Sequence, residues 1–204
     1  MRRINQDWSW VPLILVLIAF CSCSPLPYLE VNYRLPIRSE TLKGQRVSLD
    51  LEDVRPVKDM IGRGARDDFG NFSGSVSLAV AHGSDSGVRM GVYEPPSLFK
   101  EAFQKRLENS GAQVLLSEEK GVPELTVIIQ RFLLDLVDRR WTVQMAYEAR
   151  LSKDGKVLAR QIVSGEGERM KLVGRDQADI VLGEVFTDLV NRVDLDKLFR
   201  EAGL

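Results

Sequence analysis

The residues with the most reactive side chains in this sequence are two cysteines, Cys21 and Cys23, which directly follow an apolar run from Val11 to Phe20. A disulfide between them is disfavoured, because positions so close along the chain would close a small, strained ring. A C-x-C metal site needs further ligands, yet the chain has one histidine, His82, and no other cysteine. We therefore predict no metal site and no cofactor.

The segment before the cysteines has the layout of an export signal. Arg2 and Arg3 supply the positive start, Val11 to Phe20 supply the apolar stretch, and small residues follow. The alternative is a membrane-spanning helix. Even a helix from Trp8 to Cys23 would reach only about 24 Å, which is less than the roughly 30 Å of a bilayer core. We therefore predict that residues 1–22 are a cleaved signal peptide.

The end of this segment resembles the signal of bacterial lipoproteins, in which cleavage falls just before a cysteine that is then lipidated. The motif needs a small residue before the cysteine, and Ser22 meets this need before Cys23. The match departs from the usual pattern at Phe20 and Cys21. The resemblance implies cleavage between Ser22 and Cys23 and a palmitate-type lipid on Cys23, with Cys21 as the alternative site. Ser24 after the cysteine implies sorting to the outer membrane, with the domain facing the periplasm.

Residues 23–45 contain three prolines, Pro25, Pro27 and Pro36, and show no sustained hydrophobic period. This composition predicts a lipidated N-terminus followed by an extended tether. The alternative is that Tyr28 to Tyr33 packs as an edge strand. We predict that residues 46–204 form a single periplasmic domain.

Catalysis would require residue sets that this sequence does not assemble. A serine hydrolase needs a histidine base, but His82 falls at the end of a predicted strand, and no G-x-S-x-G motif surrounds a serine. Glu166 and Glu168 lie two apart on one side of another predicted strand, which is typical of an exposed polar face. The formal net charge of −1 argues against a nucleic-acid partner. We predict that the protein is not an enzyme.

The long loop from Arg55 to Gly74 is the best candidate for a partner-binding surface, because loops of this length in compact domains are often functional. Its stretch Ile61-Gly62-Arg63-Gly64-Ala65-Arg66 resembles a phosphate-binding loop but lacks the required spacing. Asp59, Asp67 and Asp68 do not have the spacing of a calcium loop. A solvated flexible loop is the alternative reading. The candidate partner-binding residues are Arg55, Arg63, Arg66, Phe69 and Phe72.

Alternating apolar and polar residues predict the strands that must carry this loop. The clearest alternation runs from Arg140 to Ser152, and Asp154-Gly155 has hairpin-turn chemistry before a returning strand over 157–168. Other strands are predicted over 46–52, 76–80, 88–92, 112–116 and 125–137, the last bulged near Phe132, and helices over 95–111 and 176–193. This order predicts an α+β fold, a two-layer sandwich of a mainly antiparallel sheet with two main helices on one face.

Several short motifs in the chain resemble the YajG-like family of bacterial envelope lipoproteins. They are Val47-Ser48-Leu49, Asp53-Val54-Arg55, Leu107-x-x-x-Gly111 and Asp179-x-Val181-Leu182. The loop within residues 61–90 departs from the leaner family pattern. The resemblance implies a small non-enzymatic α+β domain. The LptE-like and PqiC-like auxiliary lipoproteins of lipid-transport machines have similar architecture, which is a fold-level analogy.

Together these features favour an outer-membrane lipoprotein that acts as a non-catalytic binding or accessory module of the cell envelope. Its expected contacts are the membrane, through the N-terminal lipid, and an envelope protein. The alternative is a lipid- or glycan-binding auxiliary component of an envelope transport system. An anchored hydrolase is a third hypothesis.

Overall fold

The computed structural model describes residues 28–204 with the exception of Asn71, Ser84, Ser86, Leu116 and Glu118. The strands are β1 (Leu29–Leu35), β2 (Arg46–Asp53), β3 (Val76–His82), β4 (Val88–Tyr93), β5 (Gln113–Leu115), β6 (Glu124–Val137), β7 (Arg140–Lys153) and β8 (Lys156–Met170). The helices are α1 (Pro95–Asn109), α2 (Asp176–Arg192) and α3 (Leu195–Glu201). The predicted α+β class is confirmed, and the strands form two sheets.

The larger sheet has the order β5-β2-β6-β7-β8. Strands β6, β7 and β8 are antiparallel neighbours, whereas β2 runs parallel to both β5 and β6. The β7–β8 turn follows its predicted chemistry, since Asp154 and Gly155 have φ of 50° and 74°, which an Asp-Gly pair adopts readily. The predicted break in β6 is also confirmed. A register shift between Ile129 and Arg131 inserts one residue and returns Phe132 to the buried face.

The smaller sheet has the order β1-β3-β4, with β1 parallel to β3. In β1 the odd-numbered residues are buried and the even-numbered ones are exposed, which is the pattern of a half-buried strand. The predicted tether is therefore wrong for Leu29–Leu35, and the alternative of an edge strand beginning near Tyr28 is the correct one. The prolines flank this strand rather than interrupt it. Residues 23–27 lie outside the described part of the chain.

An aromatic cluster joins the two sheets into one core. Tyr33 of the smaller sheet packs edge-to-face on Phe186 of α2 at 5.9 Å, and Phe186 packs on Phe99 of α1 at 5.2 Å. Phe99 in turn contacts Phe132 at 5.4 Å and Tyr147 at 6.0 Å on the larger sheet. All five rings are almost completely buried. Such edge-to-face pairs each add about 0.5–1.5 kcal/mol beyond the apolar area that they bury.

Helix α2 closes the free edge of β1, which would otherwise present unpaired backbone groups to other chains. The residues of α2 that face this edge are spaced by four and are Asp179, Gly183, Thr187 and Asn191. The Asp179 carboxylate accepts a hydrogen bond from the backbone N–H of Glu30 at 2.8 Å. Thr187 Oγ1 accepts one from the N–H of Arg34 at 3.2 Å, and Asn191 donates to the Arg34 carbonyl at 2.8 Å.

Across residues 28–204, apart from the five gaps, we find no helix that combines the length and the apolar character needed to cross a bilayer.

Candidate functional site

The 55–74 loop begins where the chain leaves the β2–β6 ladder. Its first part returns to β6 before the loop continues to Gly74. Opposite the β6 bulge the chain turns away, and it returns at Ile61, which forms a parallel bridge with Leu134. Arg55 fills the opening between these points and is only 5% exposed. Its guanidinium donates two hydrogen bonds of 2.9 Å to the Asp53 carboxylate and one to the Phe132 carbonyl. Arg55 therefore has a structural role and is not available to a partner.

The charge of Arg55 is matched by Asp53. Burial raises the pKa of the Asp53 carboxyl, but the hydrogen bonds and charge of Arg55, with a contribution from Lys58, outweigh burial and lower this pKa to about 2. The carboxylate is therefore ionised at neutral pH, and the pair holds the start of the loop against β6.

The glycines that resemble a phosphate-binding loop allow close packing on β6. A Cβ atom on Gly62 would lie 2.2 Å from the Asp135 carboxyl carbon, and one on Gly64 would lie 2.0 Å from the Leu136 carbonyl oxygen. The N–H of Gly64 donates to the Asp135 carboxylate at 2.9 Å. Since a carboxylate of the same chain already occupies this amide, the motif does not provide a free anion site. Arg63, between the glycines, is exposed.

The second half of the loop is fixed by aromatic and cationic contacts. The buried ring of Phe69 lies 5.7 Å from Trp141, and the Arg175 guanidinium lies 5.1 Å above the Phe69 ring. Lys171 lies 5.2 Å from the centre of the Trp141 ring and forms an ion pair of 2.5 Å with Asp68. Cation–π contacts contribute about 0.5–2 kcal/mol each. The loop is therefore held at both ends and is not the solvated flexible segment of the alternative reading.

Between its two fixed limbs the loop encloses an open cavity of about 430 Å³, which we call the loop cavity. Its apolar lining residues are Met60, Ile61, Phe69 and Phe72, and its polar ones are Lys58, Asp59, Arg66 and Ser73. Arg66 and Asp59 form an ion pair of 3.5 Å, and both side chains are mostly exposed. An exposed pair of this kind contributes little to stability, so either group can exchange its partner for a ligand.

Three of the five predicted partner-binding residues thus line one cavity, namely Arg66, Phe69 and Phe72. Arg55 is buried and Arg63 is exposed, and neither lines the cavity. Trp141, Lys171 and Arg175, which fix the loop, were not identified from the sequence. The predicted cleavage, lipidation and sorting residues Ser22, Cys23 and Ser24 lie outside the described residues.

The other residues considered for chemistry lie apart from this cavity. His82 is exposed at the end of β3 and lines a separate pocket with Lys105 and Glu108. Glu166 and Glu168 lie exposed on the outer face of β8, and Glu168 pairs with Arg140. Among the described residues, no cluster of three or more histidine, cysteine, aspartate or glutamate side chains could hold a metal ion.

A second cavity, which the sequence analysis missed, lies between α2 and the edge of β1. This α2–β1 groove has a volume of about 410 Å³, and more of its lining surface is apolar than polar. Its lining residues are Asn32, Arg34, Asp179, Ile180, Gly183, Glu184, Thr187 and Asp188. Burial is the main cause that raises the pKa of Asp179 to about 6, and the negative charge of Glu30 adds to it. The signal in the sequence was the run of small and polar residues at every fourth position of α2.

Comparison with known proteins gives a fold relationship. No family model and no curated protein matches the sequence. A solved structure from Xanthomonas campestris, described by the family name DUF330, superposes with a TM-score of 0.51 at 11% identity, covering 85% of this chain and 96% of the other. The two chains share a fold.

Two further solved structures superpose less closely. A minor lipoprotein from Acinetobacter baumannii gives a TM-score of 0.39 at 11% identity, covering 76% of this chain and 95% of the other. The rare lipoprotein B from Shewanella oneidensis gives 0.37 at 12% identity, covering 76% of this chain and 97% of the other.

Proposed function

We propose that this protein is an outer-membrane lipoprotein, anchored through Cys23, whose periplasmic domain binds another envelope protein without catalysis. The observation that carries the binding role is the loop cavity. Its apolar floor and its loosely paired Arg66 and Asp59 on the rim are typical of a pocket that receives an anchor side chain from a partner. A cavity of about 430 Å³ accommodates one or two large side chains.

The proposal includes membership of the YajG-like family, and the positions of the shared motifs support it. Asp53 and Arg55 form the buried ion pair at the start of the loop. Gly111 has φ of 89° directly after α1, where a residue with a side chain would be strained. Asp179 holds the edge of β1. Each of these four motif residues therefore meets a specific demand of the fold.

The binding role can be tested by photo-crosslinking in intact cells. A photo-reactive residue at Ser73, which is exposed on the cavity rim, should give an adduct of defined mass. The same residue at Asp154, in the β7–β8 turn, is the control and should give none. The adduct at Ser73 should disappear with Arg66→Glu and persist with Arg63→Glu, since Arg63 is also exposed but lies outside the cavity. Absence of any adduct at Ser73 would refute the binding role.

The anchor can be tested separately by labelling cells with radioactive palmitate. Cys23→Ser should abolish labelling and leave unprocessed precursor, because the sulfur that carries the lipid and the cleavage site are both lost. Cys21→Ser is the matched control and should leave both labelling and processing unchanged. If Cys21→Ser alone abolishes labelling, then the anchor is at the other cysteine. Density-gradient separation of the two membranes would test the outer-membrane assignment.

The α2–β1 groove favours the second candidate function, a glycan-binding accessory of an envelope transport system. Its lining includes the carboxylates of Glu184 and Asp188, which form exposed ion pairs with Arg169 and Arg192 and can exchange these partners for sugar hydroxyls. Native mass spectrometry of protein extracted without delipidation should then show a retained ligand. The ligand should be lost in Glu184→Gln with Asp188→Asn. If the freshly extracted protein has the mass of the ligand-free lipoprotein, this candidate function is refuted.

A further inference from the structure

Four exposed apolar side chains occur at one end of the larger sheet. This apolar tip consists of Val137, Met170, Leu172 and Val173. Val137 on β6 and Met170 on β8 both pair with Arg140 of β7, which lies between them. Leu172 and Val173 follow directly after β8 and are 67% and 90% exposed. An exposed apolar cluster of this kind marks a surface that contacts a protein or a membrane.

The first described residue, Tyr28, lies at the same end of the molecule. The backbone N–H of Glu30 is bonded to Asp179 in the first turn of α2, which directly follows the segment 171–175 that leads out of the tip. From there β1 runs alongside α2 and away from the tip, since Arg34 is bonded to Asn191 near the other end of the helix. The chain before Tyr28 therefore starts from the tip side of the domain.

Chain length then limits how far the domain can lie from an anchored Cys23. Five residue steps separate Cys23 from Tyr28, and five extended residues span at most about 18 Å. The strand β7, with 14 residues, is about 45 Å long at roughly 3.3 Å per residue. A lipid on Cys23 can therefore bring only the end of the domain that holds Tyr28 close to the bilayer surface.

We propose that the apolar tip rests in the interface of the bilayer that holds the lipid anchor, so that the domain stands on the membrane on this end. This inference depends on the proposed anchoring through Cys23. The anchor keeps the tip at a high local concentration next to the membrane, so weak apolar contacts suffice.

The tip contacts lipid whatever the charge of its headgroup, because the positive and negative charges around the tip balance. Lys171 is paired with Asp68, and Arg140 with Glu168. Arg169, next to Met170, pairs with Glu184, and Arg139 and Arg175 are adjacent in sequence to Asp138 and Asp176. With no excess of positive charge, the contact is made by the apolar side chains and does not require anionic lipid.

The test uses the full lipidated protein, reconstituted into vesicles of neutral phosphatidylcholine, with an environment-sensitive fluorophore on one introduced cysteine. Val173→Cys places the label on the tip. Ile37→Cys is the matched control, because Ile37 is 96% exposed but follows the opposite end of β1. The label at Val173 should shift its emission to the blue and be quenched by brominated acyl chains, whereas the label at Ile37 should do neither. The shift at Val173 should persist at high salt.

Vesicle flotation separates this inference from the proposed anchor. If the protein floats with the vesicles but the two labels behave alike, the membrane contact of the tip is refuted while the anchor stands. If the protein does not float, the anchor and the inference that depends on it both fail. A label at Val173 that becomes shielded only in native membranes, and not in pure lipid, also refutes the inference, because the tip would then contact a protein.

Discussion

Asp179→Asn should remove a pH dependence that is built into the contact between α2 and β1. The Asp179 carboxylate accepts the Glu30 N–H in a half-buried position, and burial raises its pKa from 3.8 to about 6. Asparagine has nearly the same volume and keeps an oxygen that can accept this hydrogen bond. The substitution therefore removes the titration and leaves the contact in place.

The size and sign of the effect follow from the raised pKa. Between pH 3.8 and about 6 the folded protein binds more protons than the unfolded chain, so the free energy of unfolding falls as the pH rises through this window. A shift of roughly two pH units corresponds to at most about 3 kcal/mol at 1.36 kcal/mol per unit. Because Asp179 is partly exposed, solvent screening reduces this to about 1–2 kcal/mol.

Urea unfolding of wild type and Asp179→Asn at a pH near 3.8 and at a pH well above 6 would measure the effect. The difference between the two proteins isolates Asp179 from other titrating groups. Asp176→Asn is the control, since Asp176 is exposed in the same helical turn and reports the loss of a charge at the helix N-terminus, worth about 0.3–1 kcal/mol. If wild type and Asp179→Asn show parallel pH curves, then the coupling to burial is refuted.

Two further substitutions test the loop and the helix contacts. Gly64→Ala should lower the free energy of unfolding, measured in urea, by about 1–3 kcal/mol, because its Cβ would clash with the Leu136 carbonyl and displace the loop. Gly70→Ala should have little effect, because the new Cβ would come no closer than 4.0 Å to the Arg66 carbonyl oxygen, and equal losses for both variants would contradict the argument. Arg106→Met should lower the melting temperature, since the buried guanidinium donates to the carbonyls of Val190 and Val193 at the end of α2. An unchanged melting temperature would show that these carbonyls find other partners.

The elements that could be predicted from the sequence are those whose residue pattern lies entirely within one short segment. The alternation in β7, the Asp154-Gly155 turn and the inward face of α2 all depend on neighbours a few residues away. The β6 bulge was predicted for the same reason, because the change of phase near Phe132 is visible in the sequence itself. The fold class followed from the order of these elements.

Features that depend on distant pairing could not be predicted in this way. Nothing local to β2 indicates that it runs parallel to β6, some 75 residues further along, or that two sheets form instead of one. The burial of β1 alternates over seven residues, but this period is too short to stand out in a segment with three prolines, and a tether was predicted instead. Its place in the fold depends on β3 and on α2, whose residues supply the hydrogen bonds at its edge.

The candidate site was predicted in part, and the reason lies in the β6 bulge. A loop rich in arginine and phenylalanine suggested exposure of all five candidate residues. The bulge opens a gap in the ladder that Arg55 fills, so this arginine is buried while Arg66 remains on the surface. The partners of Phe69, which are Trp141 and Arg175, lie far along the chain and give no signal in the loop itself.

The loop cavity and the apolar tip share several contacts. Their closeness restricts where a partner of the cavity can be located. Phe69 forms part of the cavity floor and lies beneath Arg175, while Lys171, in the segment that carries Leu172 and Val173, holds Asp68 of the loop. If the tip rests on the bilayer, the cavity must lie near the membrane surface. A partner would then reach it most readily from within the membrane or from its surface. We therefore expect the protein crosslinked at Ser73 to be membrane-embedded or lipid-anchored, and a freely diffusing periplasmic partner would argue that the domain stands in a different orientation.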